Sequence, residues 1–124
     1  YVGMLSELFH LSPILEGTIE SASEYLGFDF VRLTQEGPES LLNQTEYTQP
    51  ALLAGCIGLW RLWSDLGGDE TVSYYAGHSL GEYAALVCAR VISFPDALKL
   101  VSARGRFMQE ATPEGGGAMA AIVG

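Results

Sequence analysis

The chain has 124 residues, a formal net charge of −9 at pH 7, 48% hydrophobic and 17% charged residues. That length can bury one core, and the acidic balance excludes a general nucleic-acid binder, which would carry a basic surface. The longest apolar run, residues 51–60, is too short to span a bilayer, and no secretory signal is visible. Cys56 and Cys88 form no C-x-x-C and lie in helix-forming stretches, so free, buried thiols in a cytoplasmic protein are the expectation.

Along the chain, Val2, Met4, Leu5 and Leu8 have helical spacing without a cap before them. Ser12-Pro13 reads as a helix entry, with an N-cap hydroxyl followed by proline at the first helical position. The stripe Ile14, Leu15, Ile19, Ala22 and Leu26 continues that helix, and Gly27 stops it. Residues 28–42 are broken by Gly37-Pro38 into short helical turns. Thr48 is expected to cap the helix that contains Pro50 to Leu66 and ends at Gly67-Gly68. That helix is apolar on nearly every side, which predicts a position sandwiched between other layers. Its small residues Ala51, Ala54, Gly55 and Gly58 allow close backbone approach. A strand is predicted over residues 71–75, then a tight turn, then a helix over residues 83–90. Ser93-Phe94-Pro95-Asp96 is a capping-box variant opening a helix to about Ala111, with Leu98, Val101, Arg104 and Met108 at near-helical spacing. Pro113 and the glycines at 115–117 end it, before an apolar strand-like run at residues 118–124. Helices and strands in this order predict an α/β fold. The apolar run at one end and the uncapped helical spacing at the other predict a fragment of a longer domain.

Chemistry concentrates at Gly77-His78-Ser79-Leu80-Gly81. A G-x-S-x-G between a strand and a helix is the pattern of a nucleophile elbow, which exposes a serine hydroxyl on a turn too tight for flanking side chains. Ser79 is the candidate nucleophile, and the Leu80 backbone N–H is a candidate oxyanion donor. The alternative for Ser79 is a simple helix N-cap. The chain holds two histidines, His10 and His78. His78 adjoins the serine and is expected to point away from its hydroxyl and be packed or hydrogen-bonded within the elbow's surroundings; His10 reads as a partly exposed helix-end residue. Four of the six basic residues, Arg90, Lys99, Arg104 and Arg106, follow the elbow, either as solvated helix charges or as a local field for an acidic ligand.

The longer string Gly77-His78-Ser79-Leu80-Gly81-Glu82-Tyr83-Ala84-Ala85-Leu86 resembles the active-site signature of malonyl-CoA:acyl-carrier-protein transacylases. Thr48-Gln49-Pro50-Ala51-Leu52, Arg104-Gly105-Arg106-Phe107-Met108-Gln109 and Gly117-Ala118-Met119-Ala120-Ala121 resemble further motifs of that family, in its order. The resemblance implies that residues 1–124 are part of the α/β-hydrolase-like large subdomain of the acyltransferase fold, with the ferredoxin-like small subdomain missing. It implies malonyl transfer from malonyl-CoA to acyl carrier protein through Ser79 in fatty-acid synthesis, without cofactor, metal, nucleic acid or membrane. Arg104 matches the family's grip on the malonyl carboxylate, which a planar guanidinium can take bidentately. Leu80 and Gln49 match positions lining the same pocket. The family's histidine lies later in the chain, so these residues alone are expected to be inactive. A serine hydrolase or thioesterase, and a non-catalytic truncated module binding a carrier protein, are the competing readings.

Overall fold

The computed structural model describes residues 1–10 and 12–112. Those residues form helices α1 (Ser6–Phe9), α2 (Pro13–Leu26), α3 (Phe30–Glu36), α4 (Glu39–Leu42) and α5 (Thr45–Asp65). A 3-10 turn (Gly68–Thr71), α6 (Leu80–Cys88) and α7 (Phe94–Ala111) follow.

Three of the expected caps hold. Ser12 Oγ accepts from Leu15 N at 3.3 Å ahead of Pro13, and Gly27 closes α2 at φ 66°. Ser93 Oγ accepts from Asp96 N and donates to the Asp96 carboxylate at 2.6 Å, so the acidic partner binds the hydroxyl. Thr48 does not cap. Helix α5 already starts at Thr45, three residues before Thr48, and the Thr48 hydroxyl donates to the carbonyls of Leu42 and Gln44. It thereby ties α4 to α5, and Pro50 falls inside the helix.

Helix α5 is the centre, packed against α2, α6 and α7. Leu53 and Ile57 meet Leu15 and Ile19 of α2 and Leu98 and Val101 of α7, all essentially free of solvent. Each such side chain contributes roughly 1.5–3 kcal/mol by leaving water. Gly58 makes the α2 contact possible, since a Cβ there would come within 2.4 Å of Leu15 Cδ1. The expectation that α5 is buried all round is corrected. Leu52, Cys56, Leu59 and Trp63, spaced four, three and four apart, share a face that stays exposed. Cys56 is therefore a free but exposed cysteine rather than a buried one, and Cys88 is half-buried.

The α/β expectation is not met among the described residues, which contain no strand. Thr71 closes the 3-10 turn, and residues 72–77 carry no regular structure, with Val72 in an extended conformation. A strand exists by its ladder hydrogen bonds, and no described segment pairs with this one. Tyr74 consequently stands 92% exposed. The run at 118–124 lies outside the described residues, as do Pro113 and the glycines at 115–117.

Candidate active site

The turn at the start of α6 carries a tightly constrained backbone. Ser79 sits at φ 56° and ψ −112°, a conformation that costs a non-glycine residue about 1–3 kcal/mol and persists only when its surroundings impose it. Gly77 is one such constraint. A Cβ at that position would lie 2.0 Å from the Gly81 carbonyl oxygen and 2.7 Å from Glu82 N, both backbone atoms that cannot step aside. Gly81 behaves differently, since a Cβ there meets nothing within 4 Å. The clearance expected from both glycines comes from Gly77, while Gly81 contributes the backbone that packs on it. Helix α6 opens directly after the serine, at Leu80 rather than Tyr83, and is held by Gly81 N to His78 O at 2.9 Å and Glu82 N to Ser79 O at 3.2 Å.

Ser79 occupies the N-cap position, yet its hydroxyl makes no capping bond. The simple N-cap reading of this serine therefore fails. Its Oγ is exposed and accepts from Arg104 Nη2 at 2.9 Å. Leu80 N–H, one residue on, has no backbone acceptor among the described residues, and it lies at the positive end of α6. The Leu80 side chain is half-buried against the core, which anchors the turn.

Arg104 reaches this point from the third turn of α7. Its Nη1 donates to Gln49 Oε1 at 2.6 Å, so one guanidinium joins α5 to the elbow. Gln49 is buried, 5% exposed, and its Nε2 donates to Met108 Sδ at 3.4 Å. The carboxamide is thus held at both ends from α7, by Arg104 and by Met108 four residues on. The approach of α7 to α5 depends on Gly105. A Cβ there would lie 2.6 Å from Thr45 O and 2.7 Å from Glu46 Cα. Of the predicted site residues, Ser79, Gln49 and Arg104 are brought into one hydrogen-bonded chain, and Leu80 adjoins it. The motif reading had not singled out Gly105 or Met108 for the site. A glycine inside a helix costs about 1 kcal/mol against alanine, which marks close approach, and the i, i+4 step from Arg104 to Met108 marks a shared face.

The other basic residues do not converge. Arg106 is exposed, paired with Glu110 at 3.9 Å and stacked over Phe107. Arg90 and Lys99 are exposed as well. His78 is exposed rather than packed into the elbow, and His10, at the end of α1, lies edge-on to Phe9 with ring centroids 6.0 Å apart. Neither is hydrogen-bonded to Ser79 among the described residues. Burial raises the Cys56 thiol above its ordinary value, although the residue as a whole is exposed. Burial, and secondarily the neighbouring Cys56, raise Cys88, while a backbone hydrogen bond acts in the opposite sense. No group of three or more His, Cys, Asp or Glu residues among the described residues could hold a metal ion. Nor is any described helix long and apolar enough to cross a membrane.

A serine on a strained turn at a helix N-terminus, with an amide donor beside it and a guanidinium on its hydroxyl, offers a candidate nucleophile and oxyanion donor, with no general base bonded to it among the described residues. The sequence matches the acyl transferase domain over residues 1–123, and the chain belongs to that family. It is 56% identical over 123 residues to the malonyl CoA-acyl carrier protein transacylase of Escherichia coli strain K12, covering 99% of this chain and 40% of that one. To the protein of the same name from Staphylococcus aureus strain N315 it is 42% identical, over 99% and 39%. The fold superimposes on an acyl carrier protein S-malonyltransferase from Vibrio cholerae with a TM-score of 0.87 and 52% identity, over 93% of this chain and 37% of that one. A malonyl-transacylase in complex with a type II PKS acyl-carrier protein gives a TM-score of 0.87 and 53% identity, over the same shares. The chain thus spans about 40% of the length of the curated relatives it matches.

Proposed function

We propose that the natural protein carrying these residues moves malonyl from malonyl-CoA to the phosphopantetheine thiol of an acyl carrier protein, as a step of fatty-acid synthesis. The observation that carries this reading is the Arg104 guanidinium, held on Gln49 at 2.6 Å and resting on Ser79 Oγ at 2.9 Å. A carboxylate bound there would place an acyl carbon one methylene away, beside the hydroxyl. The malonyl transacylases among the relatives support the same substrate and partner.

In this mechanism Ser79 Oγ attacks the thioester carbonyl, the oxygen–carbon bond forms, and the carbon–sulfur bond breaks to release coenzyme A. The serine proton leaves through a general base and ends on the departing thiolate. Arg104 only donates and cannot be that base. The carrier thiol then attacks the malonyl ester, returns the proton to Ser79 and leaves as the malonyl thioester. Leu80 N–H stabilises the oxyanion in both steps, Arg104 binds the malonyl carboxylate, and Gln49 keeps the guanidinium in place. The proposed setting for these residues is the α/β-hydrolase-like large subdomain of an acyltransferase. Malonyl-CoA supplied with carrier protein should give mainly malonyl-carrier rather than free malonate. Predominant release of malonate would favour a hydrolase. Carrier binding without any acyl-serine would favour a non-catalytic module.

A further inference from the structure

A cavity of about 780 Å³ lies away from Ser79, at the far end of α6, between α5 and the start of α7. That volume is in the range of small-molecule sites. Arg61 and Arg90 both stand on its walls, two of six Lys and Arg residues in a chain of net charge −9. Arg90 is held there under strain. Among the described residues it shares with Ser79 alone a positive φ without being glycine, here 60°. A charge that served only the end of α6 could stand one turn earlier without that cost, and strain of this kind collects at functional sites. Arg61 is fixed by its neighbours. Its Nη1 donates to Thr18 Oγ1 at 3.0 Å, and its guanidinium lies 4.9 Å from the centre of the Phe94 ring. Thr18 spends its own proton on Ile14 O at 2.8 Å, so its hydroxyl accepts from Arg61. Neither arginine forms an ion pair among the described residues, although Asp69 lines the same cavity. Ser64 Oγ, also on the wall, is buried with no hydrogen-bond partner among the described residues. Trp60 and Tyr75 add aromatic faces, set edge-on with ring centroids 5.2 Å apart.

We propose that this cavity binds a nucleotide, with its phosphate on Arg61 and Arg90 and its base against Trp60 and Tyr75. Guanidinium groups take phosphate oxygens in pairs, and aromatic faces take the flat base. The positive end of α7 opens onto the same space and adds to the attraction. Asp69 decides between a nucleotide and a bare anion. A carboxylate on the wall repels inorganic phosphate, whereas the ribose hydroxyls of a nucleotide donate to it. Ser64 Oγ then gains the partner that the described residues do not supply. The inference stands apart from malonyl transfer, because the nine residues of α6 put about 13 Å between the nucleophile and this end of the helix.

The test titrates the natural protein carrying these residues with AMP in a calorimeter, unsubstituted and as Arg90→Gly. That variant removes the guanidinium while relieving the backbone, so lost binding is not lost folding, and a melting curve checks this. The expected result is one AMP per chain, bound more tightly than adenosine or inorganic phosphate alone. Affinity should fall roughly tenfold or more in Arg90→Gly, the weight of one hydrogen bond to a charged group. No binding to the unsubstituted protein at millimolar AMP, or equal binding in the variant, overturns the proposal. Inorganic phosphate bound as tightly as AMP overturns the nucleotide and leaves a plain anion site. AMP displaced by malonyl-CoA, with its affinity unchanged in Arg90→Gly, places it at the acyl-donor site and overturns the proposal as well. Where Arg90→Gly does not fold, Arg90→Asn, which also tolerates positive φ, decides by the same readout. Malonylation of Ser79 without AMP binding would strike this cavity alone and leave the transfer reading standing.

Discussion

The α2–α5–α7 core and the elbow are built on opposite terms. In the core, Leu15, Leu53, Ile57 and Leu98 are shut away from water, and the arrangement is held by the area they bury. At the elbow, residues 73–79 are exposed, and the geometry is held by close backbone contacts, Gly77 against the Gly81 carbonyl with Ser79 at φ 56°, and by the Leu80 side chain that anchors the turn on the core. Burial therefore holds the core, while the proposed nucleophile stands outside it. Arg104 joins the two regions, because it stands on a core helix and ends on the elbow hydroxyl.

That division can be broken first from the core side. Leu98→Ala, at a position with no solvent exposure, should cost about 2–5 kcal/mol in denaturant unfolding. The Ser79 acylation rate of the protein that remains folded should change little. A large loss of rate in that fraction would mean that core packing sets the elbow geometry.

The elbow offers a sharper contrast within one motif. Gly77→Ala forces a methyl group into the Gly81 carbonyl and should cost about 1–3 kcal/mol together with most of the acylation rate. Gly81→Ala meets open space in the second residue of α6 and should be nearly neutral, or stabilising by up to about 1 kcal/mol. Equal losses in melting temperature and rate for the two variants would contradict the asymmetry.

The smallest effect lies at the far end of α6. Val91 N bonds Leu86 O at 2.9 Å and Arg90 N bonds Val87 O at 3.0 Å, the Schellman closure, with Arg90 at φ 60° where glycine is usual. Arg90→Gly should exceed Arg90→Ala in stability by about 1 kcal/mol, since both lose the charge but only glycine relieves the backbone. Matching melting curves for the two would remove strain at this site.

The site was more legible in the sequence than the fold. The G-x-S-x-G spacing marked the elbow because its geometry depends on backbone clearance, which glycine positions report directly. Ser12 and Ser93 announced their helices for the same local reason. Thr48 misled because a hydroxyl next to a helix start can bond preceding carbonyls as readily as following amides, and here it took those of Leu42 and Gln44. Residues 71–75 have strand-like composition, but a strand is a property of two segments and composition reports one. The exposed face of α5 was misjudged on similar grounds. Leu52, Leu59 and Trp63 are apolar, which states what they prefer and not what covers them. No spacing rule connects Gln49 to Arg104 across the chain. Packing brought them to 2.6 Å, and in the sequence only the family resemblance pointed to both.

The most direct measurement is to mix the natural protein with malonyl-CoA, quench in acid, and weigh the peptide containing Ser79. The account predicts a malonyl ester on that serine which disappears in Ser79→Ala and is discharged by a carrier-protein thiol. A malonyl adduct on any other residue, or turnover that survives Ser79→Ala, would contradict it.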